Sequence, residues 1–511
     1  MSGVRSPARV LRDGRGQQSI DGSPSVEIAE GIQVNTNSSR FLSRRSFLLA
    51  AAGGAVAASM RPARASTVDE RRIKVAPGQA RFTDAGGPQT TVWAYDGTVP
   101  GPTQRLRQGQ PVRITVENGL DEDTTVHWHG IRLANAMDGV PGLTQKPIRP
   151  GESFTYEFTP PDAGTFWYHP HADSLVQLGH GLAGALVVEE REPVAVDRDL
   201  LWLLQDWRLS ADGQIAAGFG SAMDAGMSGR VGNIVTINGT APADVSVKAG
   251  ERIRLRLANA ALARMMALRF EGHRPVIIAI DGQPCEPHEP EDGRLVLAPA
   301  MRIDVMLDLQ GDPGSRHAVV DDFYDGLAYT LTTLAYDRAP PLRAHPLDAP
   351  VGLPRNPLPH PDLAGAQRQE IVLQGGMMGG GKLKGVGGMM GMGMPDMNGA
   401  AAWAINGMSM TGDGHAGMAP QFTLERGATC HLTMRNETAW WHPMHVHGFS
   451  LSVLSRNGTP VPHRQWQDTV LLAPKDTIEC AFVADNPGDW MLHCHVADHQ
   501  MAGLMTVFRV T

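Results

Sequence analysis

From Thr67 onward the chain is a succession of short runs rich in Val, Ile, Leu and Thr, cut every few residues by Gly, Pro and Asn. Apolar and polar positions alternate within the runs, as in Val112-Arg-Ile-Thr-Val-Glu-Asn118, which is the pattern of a half-buried strand. No long stretch carries helical spacing. One run recurs three times: Gly109-Gln-Pro-Val-Arg-Ile-Thr-Val-Glu-Asn118, Gly250-Glu-Arg-Ile-Arg-Leu-Arg-Leu-Ala-Asn259 and Gly427-Ala-Thr-Cys-His-Leu-Thr-Met-Arg-Asn436. Each copy follows a related turn, Asp96-Gly97, Asn238-Gly239 and Asn406-Gly407. The pattern predicts an all-β chain of three consecutive Greek-key β-sandwich domains of one plan, at 66–192, 193–360 and 361–511. The Pro-rich residues 339–361 read as a linker into the third.

The repeat allows side chains to be compared by position. Counting from each repeat Asn, offsets +9 and +11 give His127 and His129 in the first copy and His445 and His447 in the third, whereas the second has Leu268 and Phe270. Later in each copy, Trp167-Tyr-His169-Pro-His171 matches Met491-Leu-His493-Cys494-His495, so Pro170 occupies the slot of Cys494. Offset +6 sets Thr124 and Met265 against His442. Domains one and three should therefore bind metal and domain two should not, with a thiolate only in domain three.

On an extended strand His493 and His495 project to one face and Cys494 to the other, so one segment touches two metal sites. A thiolate with two imidazoles suits the trigonal copper centre used for electron transfer. Zinc is bound more often through CxxC or HxxxH pairs. The four H-x-H pairs supply eight imidazoles, enough for about three further copper ions.

These motifs, His127-Trp-His129-Gly130, Trp167-Tyr-His-Pro-His171, His442-Pro-Met-His445-Val-His447-Gly448 and His493-Cys-His495 with His499, together resemble the multicopper oxidases, the laccase and bacterial copper-tolerance oxidase group. The resemblance spans residues 70–511. It implies three cupredoxin-like domains and four copper ions: type 1 at His442, Cys494 and His499; type 2 at His127 and His445; and a type 3 pair at His129, His169, His171, His447, His493 and His495. It further implies that a reducing substrate, a phenol, an aromatic amine or Cu(I), gives single electrons to type 1 copper. These pass through Cys494 to the trinuclear cluster, where O₂ becomes water. Asp138 matches the acidic position that supplies protons in family members.

Three positions depart from the family pattern. Leu504 stands at the axial type 1 position, ten residues after Cys494, where many bacterial members have Met; a non-coordinating residue there should raise the potential. Met505 beside it should point to the opposite face. Gln500 replaces a Glu tied to proton relay, and Thr438 and Trp440 replace the acidic and Met residues with which cuprous oxidases bind substrate.

Residues 375–418, by contrast, are rich in Met among many glycines. Met389, Met390, Met392, Met394 and Met397 form a candidate Cu(I) substrate site, because thioethers are soft and Gly-rich spacing lets them gather round an ion. The bland alternative is a low-complexity insertion that binds nothing.

Net charge of −8 argues against nucleic acid as partner. Ser43-Arg44-Arg45-Ser46-Phe47-Leu48-Leu49, the small apolar run after it and Ala63-Arg64-Ala65 resemble a twin-arginine (Tat) leader cleaved after about Ala65, too short to span a bilayer. Export to the periplasm, with residues 1–65 outside the fold, follows, as does a monomer without a membrane anchor. Cys430 and Cys480 fall on predicted strands and either pair in an oxidising compartment or stay as buried thiols. His180, His273, His288, His317, His345, His360, His415, His431 and His463 read as surface or structural. The leading function is an exported O₂-reducing multicopper oxidase. The alternatives are a periplasmic copper-sequestering protein with incidental turnover and, disfavoured by the eight-imidazole set, a copper nitrite reductase.

Overall fold

The thrice-repeated run becomes three equivalent strands, Val112–Asn118, Arg252–Asn259 and Thr429–Asn436. Each pairs in parallel with a strand upstream in its own copy, Asp69–Ala80, Arg198–Trp207 and Gln367–Gly375. The computed structural model describes residues 68–83, 86–343, 345, 347–348, 352–377, 401–412, 415 and 417–511. The twin-arginine segment and Met389, Met390, Met392, Met394 and Met397 lie outside the described residues.

The Asn that ends each repeated strand is buried and makes one set of bonds. Its Nδ2 donates to the carbonyls of Glu122 and Ile148 in the first copy, Arg264 and Leu297 in the second, Trp440 and Ala473 in the third. Its Oδ1 accepts from the N–H of Leu120, Ala261 and Thr438. A buried amide satisfied in this way pins the loop after the strand. That loop leads to His127 in the first copy and to His442 in the third. The upstream turns all have positive φ, 50° and 74° at Asp96-Gly97, 51° and 78° at Asn238-Gly239, 50° and 76° at Asn406-Gly407. This is the two-residue hairpin geometry that favours Asn, Asp and Gly.

Each copy builds two sheets, of four and four strands in the first and six and five in the second and third. The chain is all-β, with non-consecutive strands adjacent as in Greek keys. Among the described residues no helix is long and apolar enough to cross a membrane. Cys430 and Cys480 lie on adjacent strands but out of register, Cys430 opposite Phe482 and Leu432 opposite Cys480. Both are free thiols, and burial pushes each up to about 12. Of the two readings open for this pair, the structure has the second.

The first and second copies are joined by buried charge. Arg254 and Arg256 both reach Asp304, whose other oxygen accepts from Thr165 on the strand that ends in His169. Glu190 and Asp199 complete the guanidinium contacts. Burial would raise the Asp304 carboxyl, but the two guanidiniums more than offset it and hold it below the usual range. Asp304→Ala removes the one carboxylate that two buried guanidiniums share and leaves each with a single acidic partner, Glu190 or Asp199, so we expect a loss of about 3 kcal/mol, read by denaturant unfolding; a loss under about 1 kcal/mol, typical of surface pairs, contradicts this role.

Candidate metal centre

The strand Gly488–Cys494 separates two ligand groups by alternation. His493 lies opposite His445, and Cys494 opposite Met444, in an antiparallel pair with His442–Val446. The first copy repeats the arrangement, with His127 opposite His169. In four groups, His442/Cys494/His499, His127/His445/His447, His129/His169/His495 and His171/His447/His493, the ligand atoms all lie within 4.8 Å of one another and every residue is buried. The ten residues singled out by the repeat comparison, with His499 from the family resemblance, are thus brought together in the described structure, eight of the eleven in one cluster and three in another.

In the smaller cluster, Cys494 Sγ lies 3.6 Å from His442 Nδ1 and 3.7 Å from His499 Nδ1, and the two Nδ1 atoms are 3.2 Å apart. Both outer nitrogens are engaged. His499 Nε2–H donates to the carbonyl of Met227 at 2.8 Å. The single Thr438 hydroxyl proton is given to Asn436 Oδ1 at 2.7 Å, leaving its oxygen to accept from His442 Nε2–H at 2.8 Å. Each Nδ1 therefore carries a lone pair, and the two lone pairs face each other beside a thiol. Burial keeps both imidazoles neutral, His442 well below the usual range and His499 at about 3, and pushes the thiol up. Such a set is unfavourable alone and suits a soft cation that takes both lone pairs and deprotonates the thiol.

The larger cluster follows the same rule. Nδ1–H donates to the carbonyl of Asp138 from His127 at 2.7 Å, of Pro170 from His169 at 3.0 Å, of Asp468 from His445 at 2.9 Å and of Cys494 from His493 at 2.9 Å. His447 Nδ1–H donates to Asp138 Oδ2 at 2.8 Å. A carbonyl only accepts, so Nε2 of each ring keeps its lone pair. Nε2 of His127, His129, His169, His171, His445 and His495 has no hydrogen-bond partner, while those of His447 and His493 face each other at 3.1 Å. Orphaned buried nitrogens are rare unless they serve as ligands. Burial first, then the neighbouring imidazoles, holds His169, His171, His447 and His495 well below the usual range. The donor chemistry fits copper ions held by neutral imidazoles.

Asp138, named by the family resemblance, is buried with Oδ2 on His447 and Oδ1 3.4 Å from His127 Nδ1. Three charged residues that sequence reading missed back the same histidines. Arg302, from the second copy, is wholly buried, donates through both terminal nitrogens to Asp468, and has Nη1 3.3 Å from His129 Nδ1. Asp281, also from the second copy, accepts from the backbone of Arg302, Asp468 and Thr469. Burial would raise the Asp468 carboxyl, but Arg302 more than offsets this and lowers it; burial together with the Asp468 charge pushes Asp281 up to about 7. Gly130, at φ 86°, has no room for a Cβ because Arg302 and Asp468 occupy that space. The Gly that closes His127-Trp-His129-Gly130 was the one sequence trace of this pair.

The departures also have definite places. Leu504 is buried in the apolar cluster with Cys494, its carbonyl accepting from the Cys494 N–H at 2.9 Å. Met505 pairs with His493 and so shares the face of the eight-imidazole cluster rather than that of the thiol. Gln500 is buried with Nε2 unpartnered, and Trp440 donates from Nε1 to the carbonyl of Met377. Of the two readings open for His415, surface or structural, the first does not hold: it is fully buried, has no hydrogen-bond partner at either ring nitrogen among the described residues, and lies 6.1 Å from the His171 ring. Lone spacing hid it, because it has no counterpart in the other copies.

Three models of the family described as Multicopper oxidase match residues 77–193, 198–338 and 393–511. The multicopper oxidase MmcO of Mycobacterium tuberculosis is 31% identical over 84% of this chain and 85% of that protein. Laccase-1 of Fomitopsis schrenkii is 30% identical over 83% of each. The crystal structure of a multicopper oxidase from Pseudomonas thermotolerans superposes with a TM-score of 0.75 at 33% identity, covering 87% of this chain and all of that one.

Loss of a group that orients a ligand costs about 10–100-fold in metal affinity or activity. Asp138→Ala should therefore weaken copper retention of the larger cluster by about that factor and leave the blue absorption of the smaller one unchanged. Equal loss from both clusters, measured by copper content against blue absorbance, would show that Asp138 acts on overall stability instead.

Proposed function

The chain belongs to the multicopper oxidase family and is an O₂-dependent copper oxidoreductase of four copper ions, and we propose that it is exported and oxidises small aromatic donors beside His442. In this reading His442, Cys494 and His499 hold type 1 copper, His127 and His445 type 2, and His129, His169, His171, His447, His493 and His495 the type 3 pair. Bound copper supplies one-electron oxidation of the donor and the four-electron reduction of O₂ to water. The chain's part is to orient the ligands, join the clusters and exclude water. The observation that carries the reading is the opposition of orphaned lone pairs in two clusters joined by one peptide. Cys494 and His493 are consecutive, and His493 Nδ1–H donates back to the Cys494 carbonyl, a second connection in parallel with the covalent one. Asp138, with one carboxylate oxygen on His447 and the other near His127, supplies protons to that cluster in this reading, which its contact with two of the ligands supports.

A cavity of about 890 Å³ supports an aromatic donor. Its walls include Trp440 and Trp441, immediately before His442, with Phe323 and Tyr324 from the second copy. Trp441 is exposed and meets Phe323 edge-on at 5.5 Å between ring centroids. Flat apolar walls with accessible edges suit a phenol or aromatic amine. Cu(I) is the second reading. Met265 and Met301 also line the cavity, and Met377, where the Met-rich run begins, is held at Trp440. The twin-arginine motif at Arg44-Arg45 supports periplasmic export of the folded protein.

Oxygen uptake by the copper-loaded protein should follow addition of dimethoxyphenol. No uptake with either the phenol or Cu(I) would leave copper sequestration as the function. Losing an aromatic contact worth about 0.5–1.5 kcal/mol raises KM about two- to thirteenfold, so Trp441→Ala should raise KM for the phenol with kcat kept; an unchanged KM places the donor elsewhere. Deleting residues 379–398 should slow Cu(I) oxidation more than phenol oxidation if the Met-rich run feeds the site. Leu504→Met, which offers a thioether beside Cys494, should lower the type 1 potential in a redox titration; a rise or no change would mean that the side chain does not reach the metal.

A further inference from the structure

We propose that His415 and the thioethers around it form a Cu(I)-binding site on the wall of the trinuclear cluster, from which the ion passes to His171. Alternation on Gly488–Cys494 puts Met491 on the same face as His493, and Met505 stands opposite His493 on the neighbouring strand. Met491 and Met505, both buried, form a small cluster with Val140, against which Met410 and Met418 pack. Four sulfurs therefore gather on the side of the sheet that carries the cluster histidines, and His415, its carbonyl bonded to the Met418 N–H and its ring 6.1 Å from that of His171, stands between this cluster and the ligands.

Described residues on both sides of His415 are held to the end of the chain: the N–H groups of Met410 and Gly412 donate to the carbonyls of Gly503 and Met501, and that of Gln421 to the carbonyl of Val507, while Met418 N–H donates to the His415 carbonyl. His415 is buried, with neither ring nitrogen hydrogen-bonded among the described residues and its ring 6.1 Å from that of His171. Leaving two buried nitrogens unpaired is costly unless something takes their place. Apolar walls with thioethers and one neutral imidazole disfavour hard divalent ions and favour a soft monovalent one. Passage to His171, both of whose ring nitrogens are also unpartnered, is ligand exchange: an imidazole bond replaces thioether and imidazole bonds, and no electron moves. The inference rests on His171 as a trinuclear ligand and is independent of which donor reduces type 1 copper, so failed phenol or Cu(I) turnover leaves it standing.

Silver(I), a soft monovalent ion with no redox chemistry here, is the probe. The copper-loaded full chain should bind one Ag(I), placed at His415 by anomalous scattering, in addition to any ions on the methionines of residues 389–397. His415→Leu, and separately His415→Gln to keep a polar side chain of similar size, should lose this ion, weakening its binding by about tenfold or more, or about 1.4 kcal/mol. Retained blue absorption would show that each variant is folded. After copper removal and anaerobic reloading with Cu(I), both variants should regain blue absorption at the wild-type rate but refill the larger cluster about tenfold more slowly. Silver binding unchanged by either substitution, silver density found only away from His415, or equal refilling rates would each overturn the proposal.

Discussion

The constraint on which the molecule depends is the two-residue alternation of one strand. Successive side chains on Gly488–Cys494 must point to opposite faces, so His493 enters the eight-imidazole cluster while Cys494 joins His442 and His499. The two centres can be no further apart than one peptide allows, and they cannot merge. A shift of register by one residue would exchange the two side chains. The pairing of His445 with His493 and of Met444 with Cys494 holds that register, and the satisfied Asn436 amide holds the loop before His442.

Around this strand the protein solves one electrostatic problem many times. A buried imidazole is useful as a ligand only if it is neutral and its inward nitrogen carries the lone pair. Burial secures the first condition for His169, His445, His447 and His493, and an outward Nδ1–H bond to a carbonyl or to Asp138 secures the second for these four and for His127. The second copy has lost the repeat histidines yet remains tied to the cluster through Arg302 and Asp281, which hold Asp468 and the backbone behind His445. It also lines the cavity beside Trp440 and Trp441 with Phe323 and Tyr324. A domain without ligands thus supports both centres.

Much of this was legible because the chain repeats itself. Three Asn residues at one position, three hairpin turns and four H-x-H pairs reported fold and ligands together, since local strand geometry alone dictates both. What was not legible depends on contacts between copies. Arg302, Asp281 and Asp468 look like ordinary charged strand and loop residues until packing brings them together. His415 has no spacing to betray it, and Cys430 and Cys480 lie on neighbouring strands yet two positions out of register, an offset set by pairing. Leu504 and Met505 fall between these extremes: strand alternation placed them on opposite faces, and the pairing of Met505 with His493 shows which face each one takes.

The central claim is that Cys494 is the single link between donor oxidation and O₂ reduction. Copper content and oxygen kinetics of Cys494→Ser test it most directly. Of the family's four copper ions, the variant should lose one together with the blue absorption. Its remaining ions, once chemically reduced, should still be reoxidised by O₂, while donor-driven oxygen uptake stops. Sustained donor-driven uptake, or loss of all the copper, would contradict the account.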